Sequence, residues 1–347
     1  LFHFVKTPFP FCLACGVAYS GRQQSDYGKL AVLSSEGRST ATTILSLAAL
    51  QSLSQDGTLS PEARKLLSFT DNRQDASLQA GHFNDFVEVG MLRTALHRAV
   101  QAAGPAGISH EVLPLRVFEA LQLPFELYAV DPTVKFQQKA ETERALREAL
   151  AYRIYQDLRR GWRVTSPNLE QCGLLRIDYA SLGELCEAQE EWAACHPALA
   201  DASPATRAVV ARTLLDYLRR ELAIKVDYLS PIYQESLRQL SSQRLREPWA
   251  MDEGEQLLRS FIAFPRARRR GTDDSNETRE HVYVSGRGGF GLYLRRPNTL
   301  PDYHARLSVE ETERVIVQLF TVLQVAGLVQ PVQEPEGPDD APGYMIP

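Results

Sequence analysis

Ser68, Phe69, Thr70, Asp71, Asn72, Arg73, Gln74, Asp75 and Ala76 lead from a β-capable stretch into a helical one, and they are the types best suited to gripping an anion. A strand that ends in polar residues before a helix projects them at the carboxyl edge of a sheet, where α/β folds bind ligands. Backbone amides and a hydroxyl at a helix start suit a phosphate, and the Arg73 guanidinium adds a bidentate, charge-assisted grip. The chemistry implied is contact, not catalysis. A plainer description of the same residues is a capped helix in which Asp71 closes the turn and Arg73 pairs with Asp75.

Cys12, Leu13, Ala14, Cys15 and Gly16 give the spacing of half a zinc knuckle: two thiolates share one tetrahedral ion and the glycine relieves the turn. His3, the distant Cys172, Cys186 and Cys195, or further chain would have to supply the rest. Two reduced, partly buried thiols are the other reading. Gly286, Arg287, Gly288, Gly289, Phe290 and Gly291 superficially match a nucleotide-binding glycine loop, but no buried apolar strand leads into a helix starting at the last glycine. With Arg295 and Arg296 following and Arg266, Arg268, Arg269 and Arg270 nearby, the segment reads as a basic surface that grips a nucleic-acid backbone without reading sequence. A solvated face beside Asp273 and Asp274 is the alternative. His82, His97, His110, Glu111, Cys195 and His196 form no nucleophile and base at a recognisable spacing. Trp162, Trp192 and Trp249 suit cores, although exposed Trp would suit single-stranded DNA.

The elements that must position these residues follow from periodicity. Gly37, Arg38 and Ser39 lead into a helix over Thr40 to Leu53 capped by Ser39, and Gln55 to Pro61 breaks it. Lys65 to Phe69 reads as a short strand, Thr70 to Asn72 as a turn, and Arg73 towards Ala102 as a long helix, together the α/β unit of a parallel sheet. Beyond Gly104 the pattern is helical. Ala145, Leu146, Ala149, Leu150, Ile154 and Leu158 form one stripe, with Glu143 and Arg147 placed to pair. Val210, Leu214, Leu218 and Leu222 form another. Pro265 to Glu280 is polar and charge-rich, an exposed or disordered loop. Ser308 and Glu311 form a capping box ahead of Val315, Ile316, Leu319, Phe320 and Leu323, and Gly327 ends that helix. Strands over Leu328 to Gln330 and Tyr344 to Ile346, joined by a Pro/Gly-rich loop, complete the order of a winged helix; a plain helix and hairpin competes with it.

The chain has 347 residues, enough for two or three packed units, and no apolar run of bilayer length. A net charge of −5 excludes a protein that coats nucleic acid over its whole surface, so any such contact is local. Five irregularly spaced cysteines argue for a reducing compartment, with the cytoplasm as the default. Leu1 to Pro10 carries neither an initiator Met nor a signal pattern, so the chain is read as part of something longer.

Leu66 to Ala76 resembles motif IV of a bacterial DEAD/DEAH-box helicase family of superfamily 2, whose members usually carry a zinc-binding C-terminal region and often serve DNA repair or phage defence. Gly37 to Thr43 is similar to the helix that opens that family's second RecA-like domain, and Tyr155 to Arg163 with Asn168 to Leu175 resembles its inserted region. The likeness covers most of the chain, with the three motifs in the family's order. It implies an α+β, mainly helical fold: a Cys-x-x-Cys linker over 1–29, the start of a RecA-like motor domain over 30–104, a helical insertion over 105–264, and a basic loop with a winged-helix-like end over 265–347. It also implies DNA and the remaining helicase domains as partners, with other repair or defence proteins, and ATP with Mg as cofactors of the whole polypeptide. Arg73 and Gln74 would touch phosphate or transmit the nucleotide state. The chain departs from the full pattern: it has no Gly-x-x-x-x-Gly-Lys-Ser/Thr loop, no Asp-Glu-x-His or Asp-Glu-Ala-Asp, and no arginine-rich motif VI. Hydrolysis of ATP by this chain alone is therefore not expected. A helical scaffold that docks a protein partner without touching DNA is the rival expectation.

Overall fold

The computed structural model describes residues 38–67, 73–159, 168–251, 254, 258–268, 280–333 and 341–347. It is mainly helical, with one small mixed sheet, and divides into two compact units. The described parts of the chain up to Pro124, with 168–175 and Glu247–Trp249, form the first. The second comprises the described parts of Phe125–Arg160, Arg176–Arg246 and Ala250–Pro347.

In the first unit, α1 (Arg38–Gln55) begins one residue before Ser39, so Ser39 lies inside the helix and not at its cap. Asp56 ends it by accepting from the Thr58 backbone N–H at 2.8 Å, a local turn that competes with helix propagation. α2 (Arg73–Ala103) is long because it is bound on one side: Val89, Leu92, Leu96 and Ala99 recur at helical spacing and are buried. α3 (Leu113–Leu121) returns against it through Val117. The strand expected over Lys65 to Phe69 is not formed in its described part. Residues 65–67 have no ladder, and Leu67 is 80% exposed. β-propensity needs a neighbouring strand to pair with, and the first unit has none among its described residues. Asn168 and Gln171 satisfy each other's backbone N–H groups, at 3.1 and 2.9 Å.

The second unit is organised around α4 (Phe136–Leu158), α8 (Pro204–Arg220), α9 (Pro231–Arg244) and α11 (Val309–Val325). Short helices α5 (Leu182–Glu187), α6 (Gln189–Trp192), α7 (Pro197–Ala200) and α10 (Gly289–Leu294) fill the intervals. α4 buries more than its expected stripe, for Ala151, Tyr152, Arg153, Gln156 and Asp157 are buried with it. Glu143 pairs with Lys139 at 3.8 Å on the preceding turn, where the sequence suggested Arg147. One core joins Trp192, Leu199, Leu214, Leu215 and Leu218 to Ile316, Leu319 and Phe320; a second gathers Tyr152, Leu222, Leu229 and Leu237 around Met251. Arg207 is 1% exposed within the first, over the Trp192 ring at 5.1 Å. Its guanidinium donates to Leu199 O, Ala200 O, Cys186 O and Gln189 Oε1 at 2.6 to 3.3 Å. A fixed five-donor fork suits this task, because it adds donors to the carbonyl ends of two short helices.

The sheet runs β2-β1-β4-β3, with β1 (Ile262–Phe264) parallel to β2 (His281–Tyr283) and antiparallel to β4 (Gly343–Met345), which pairs in turn with β3 (Gln330–Gln333). The expected capping box is present: Glu311 N donates to Ser308 Oγ at 3.1 Å and Ser308 N to Glu311 Oε2 at 2.7 Å. The Ser308 amide holds the Glu311 carboxyl below the ordinary carboxylate range, so the box loosens only as pH falls through that lowered value. Gly327 ends α11 at φ 69°, and the hairpin follows with β3 two residues later than expected. Ile346 lies against both cores, and the chain there pairs with Ala223 and Lys225, each bond 2.8 Å.

Candidate nucleic-acid interface

Strand alternation sorts the sheet into two faces. Ala263 and its cross-strand partner Tyr344 enter the larger core. Ile262 and Phe264 point the other way, and the parallel register sets His281 beside Ile262 and Tyr283 beside Phe264. Gly343 makes room on that outer face: a Cβ there would stand 2.5 Å from Ile262 Cγ2 and 2.9 Å from Phe264 Cζ. The Phe264 ring therefore lies over β4, 1% exposed.

An aromatic cluster forms on this floor. His281 meets Phe264 edge-on at 4.8 Å between centroids, and Tyr283 lies nearly parallel to Phe264 at 6.0 Å and 27°. His281 Nδ1 is 3.4 Å from the Tyr283 hydroxyl. The Arg266 guanidinium lies 5.1 Å from the Phe264 centroid and 5.2 Å from that of Tyr283, within cation–π range of both. His281, Tyr283 and Arg266 are each partly exposed, and Arg268 is exposed two residues further on. Glu280 is held in an ion pair with Arg259.

The glycine segment is a packing device. Gly288 N donates to Ser285 Oγ at 3.1 Å, and a Cβ on Gly291 would stand 2.3 Å from Gly286 O. A Cβ on Gly286 would meet Val309 O at 2.7 Å and Glu313 Cγ at 2.8 Å, so its absence lets the segment lie on the first turns of α11. Arg295 latches the turn shut, donating to Gly286 O at 2.9 Å and to Gly291 O at 3.3 Å.

The expected arginines therefore have different roles. Arg266 stacks on rings and Arg295 holds backbone, whereas Arg268, Arg287 and Arg296 are exposed. Arg269 and Arg270 lie outside the described residues, as do Cys12 and Cys15. Arg73 and Gln74 open α2, and their side chains are likewise outside the description. Among the described residues no group of three or more His, Cys, Asp or Glu is placed to hold a metal ion. Cys186 is buried, and burial pushes its thiol up to about 11. Trp192 and Trp249 are buried core side chains. The outward face of α11 carries Glu310, Arg314, Val317, Thr321, Gln324 and Val325. No described helix is long and apolar enough to cross a membrane. Sequence reasoning named Arg266 but missed its aromatic neighbours Phe264, His281 and Tyr283; the period of two in Phe264-x-Arg266 and His281-x-Tyr283 was the available signal.

Comparison of the chain with protein-family models, with curated proteins and with solved structures found no match.

Proposed function

We propose that this chain is a segment of an ATP-dependent DNA helicase or translocase whose second unit holds DNA. The observation that carries the reading is connectivity. α8, β1, α10, α11, β3 and β4 occur in the order helix, strand, helix, helix, strand, strand, with α9 interposed after α8 and β2 after β1, and the sheet order β1-β4-β3 is the one a winged helix needs. β2 is then an addition on the β1 edge. In this reading α2 and the motif IV likeness before it belong to the motor, with Arg73 and Gln74 at phosphate. Zinc on Cys12 and Cys15 belongs to the same proposal.

The DNA grip is electrostatic and falls to the exposed arginines. Arg295 is spent on the turn, so the informative pair is Arg287 and Arg296. Neutralising both to Gln should weaken binding to unrelated duplexes equally. It should also flatten the slope of log affinity against log salt by two contacts' worth, about 1.8 on duplex DNA. Titrations at several salt concentrations read this directly, and an unchanged affinity and slope would remove the grip from this surface. The purified chain should show no DNA-stimulated ATP turnover, because the phosphate loop and magnesium carboxylates are not in the sequence. Measurable turnover would overturn the assignment of these residues to the interval between motor motifs.

One observation favours the scaffold reading for part of this surface. In a DNA-reading winged helix α11 would enter the groove, yet its first turns carry Glu310 and Glu313, which repel phosphate, and Val325 is 64% exposed at its end. That face suits a protein partner better than a duplex.

A further inference from the structure

We propose that Tyr228, Tyr233 and Glu148 form a binding site for a small, hard trivalent cation of the ferric class. The inference is independent of the DNA-holding reading. Glu148 lies on α4, and its Oε2 accepts from two phenols, Tyr228 and Tyr233, each at 2.8 Å. Tyr233 stands on the first turn of α9 and Tyr228 on the short turn Asp227–Leu229 before it. Their ring centroids are 5.4 Å apart at 84°, so the two hydroxyls reach one carboxylate oxygen from different directions. Three oxygens from three elements therefore converge. Neighbouring ligands on an octahedral ion with bonds of about 2.0 Å stand about 2.8 Å apart, the separation found here on both edges.

Charge and hardness select the ion. Phenolate and carboxylate are hard oxygen donors, unlike the thiolates that hold soft metals. With both phenols ionised the set carries one negative charge per oxygen, which a trivalent ion balances. A divalent ion of similar size, such as magnesium, polarises a phenol too weakly to displace its proton. The ligands are partly held in place already: Tyr155 stacks on Tyr228 at 5.8 Å and 25°, and both rings pack against the second core. Tyr228 and Tyr233 are partly exposed and the Glu148 side chain is 17% exposed, so the triad lies at the border of core and solvent. Arg144 stands 3.8 Å from the other Glu148 oxygen, placed to meet a small anion in one of the remaining positions of the ion. Uptake transfers no electron. Two phenolic O–H bonds break, three metal–oxygen bonds form, and two protons pass to solvent.

The test adds ferric nitrilotriacetate to the full chain and follows visible absorption, since phenolate bound to ferric iron gives a charge-transfer band. A band saturating at one iron per chain, with two protons released per ion, is expected. Tyr228→Phe and Tyr233→Phe keep the rings and remove one hydroxyl each. Each should weaken loading by at least roughly ten-fold, the least that disturbing even an outer-shell partner costs, and the double variant should lose the band. Gallium(III), of like charge and size but without the band, should compete the colour away, and magnesium should not. Proton release and gallium competition are read on the unaltered chain and do not depend on how the variants fold. No band in the unaltered chain would overturn the site and leave the triad a tie between α9 and α4. A band of equal intensity in the double variant would also overturn it, by placing the iron on other oxygens.

Discussion

Arg207→Ala is expected to lower the stability of the second unit by about 3 to 5 kcal/mol, the range for breaking a buried, fully bonded charge or emptying a large core site. The side chain is 1% exposed, so its removal opens a cavity on the Trp192 ring and leaves Leu199 O, Ala200 O, Cys186 O and Gln189 Oε1 without this donor. Leu199 O keeps the Ala202 amide and Ala200 O keeps Gln189 Nε2, so the added desolvation cost falls mainly on Cys186 O and Gln189 Oε1. Arg207→Lys should recover little, because a single ammonium cannot reach acceptors spread around a planar fork. Urea unfolding followed by far-ultraviolet circular dichroism measures the difference, and a shift below about 1 kcal/mol would show that the short helices close without this residue.

The glycine segment gives the second large effect, and its sign changes within two residues. Gly291→Ala places a methyl 2.3 Å from Gly286 O, a backbone atom already held by Arg295, so the turn must open against α11. Overpacking of this kind costs about 3 kcal/mol when the obstacle is main chain. At Gly289 nothing lies within 4 Å of the new Cβ, and the residue is helical, so Gly289→Ala should be neutral or stabilising by up to about 1 kcal/mol. Thermal melts of the two variants, matched in chemistry, separate packing from propensity. Equal melting temperatures would refute the close approach of this segment to itself.

What the sequence made legible was the local and the periodic. Ser308 and Glu311 announce their helix because a capping box is satisfied within four residues, and Gly327 ends it because only a residue tolerant of positive φ suits that corner. The strand at Lys65 to Phe69 misled because pairing is not local: Leu66 and Leu67 have β-character, but a strand exists only where a ladder receives it. The arginines misled differently. Charge and position are visible in sequence, whereas the engagement of Arg295 by Gly286 and Gly291, and of Arg266 by Phe264 and Tyr283, depends on how glycines let backbone and rings approach. The outer face of the sheet stayed hidden because β1 and β2 are three residues each, too short for alternation to stand out, and their pairing joins segments separated along the chain.

The pairing of Ile346 with the backbone around Ile224 bears on how the molecule assembles. The bridge spans about 120 residues of chain, and Ile346 packs on both cores, so neither is sealed until that stretch docks. Closing so wide a loop delays its reward until late, so this contact forms after the local helices. During synthesis, helices α4 to α9 can pack on one another, but the parts of both cores that meet Ile346 stay uncovered. Truncation a few residues before Tyr344 should therefore give an aggregation-prone chain, where loss of an equal length of isolated helix end would give only a shorter one.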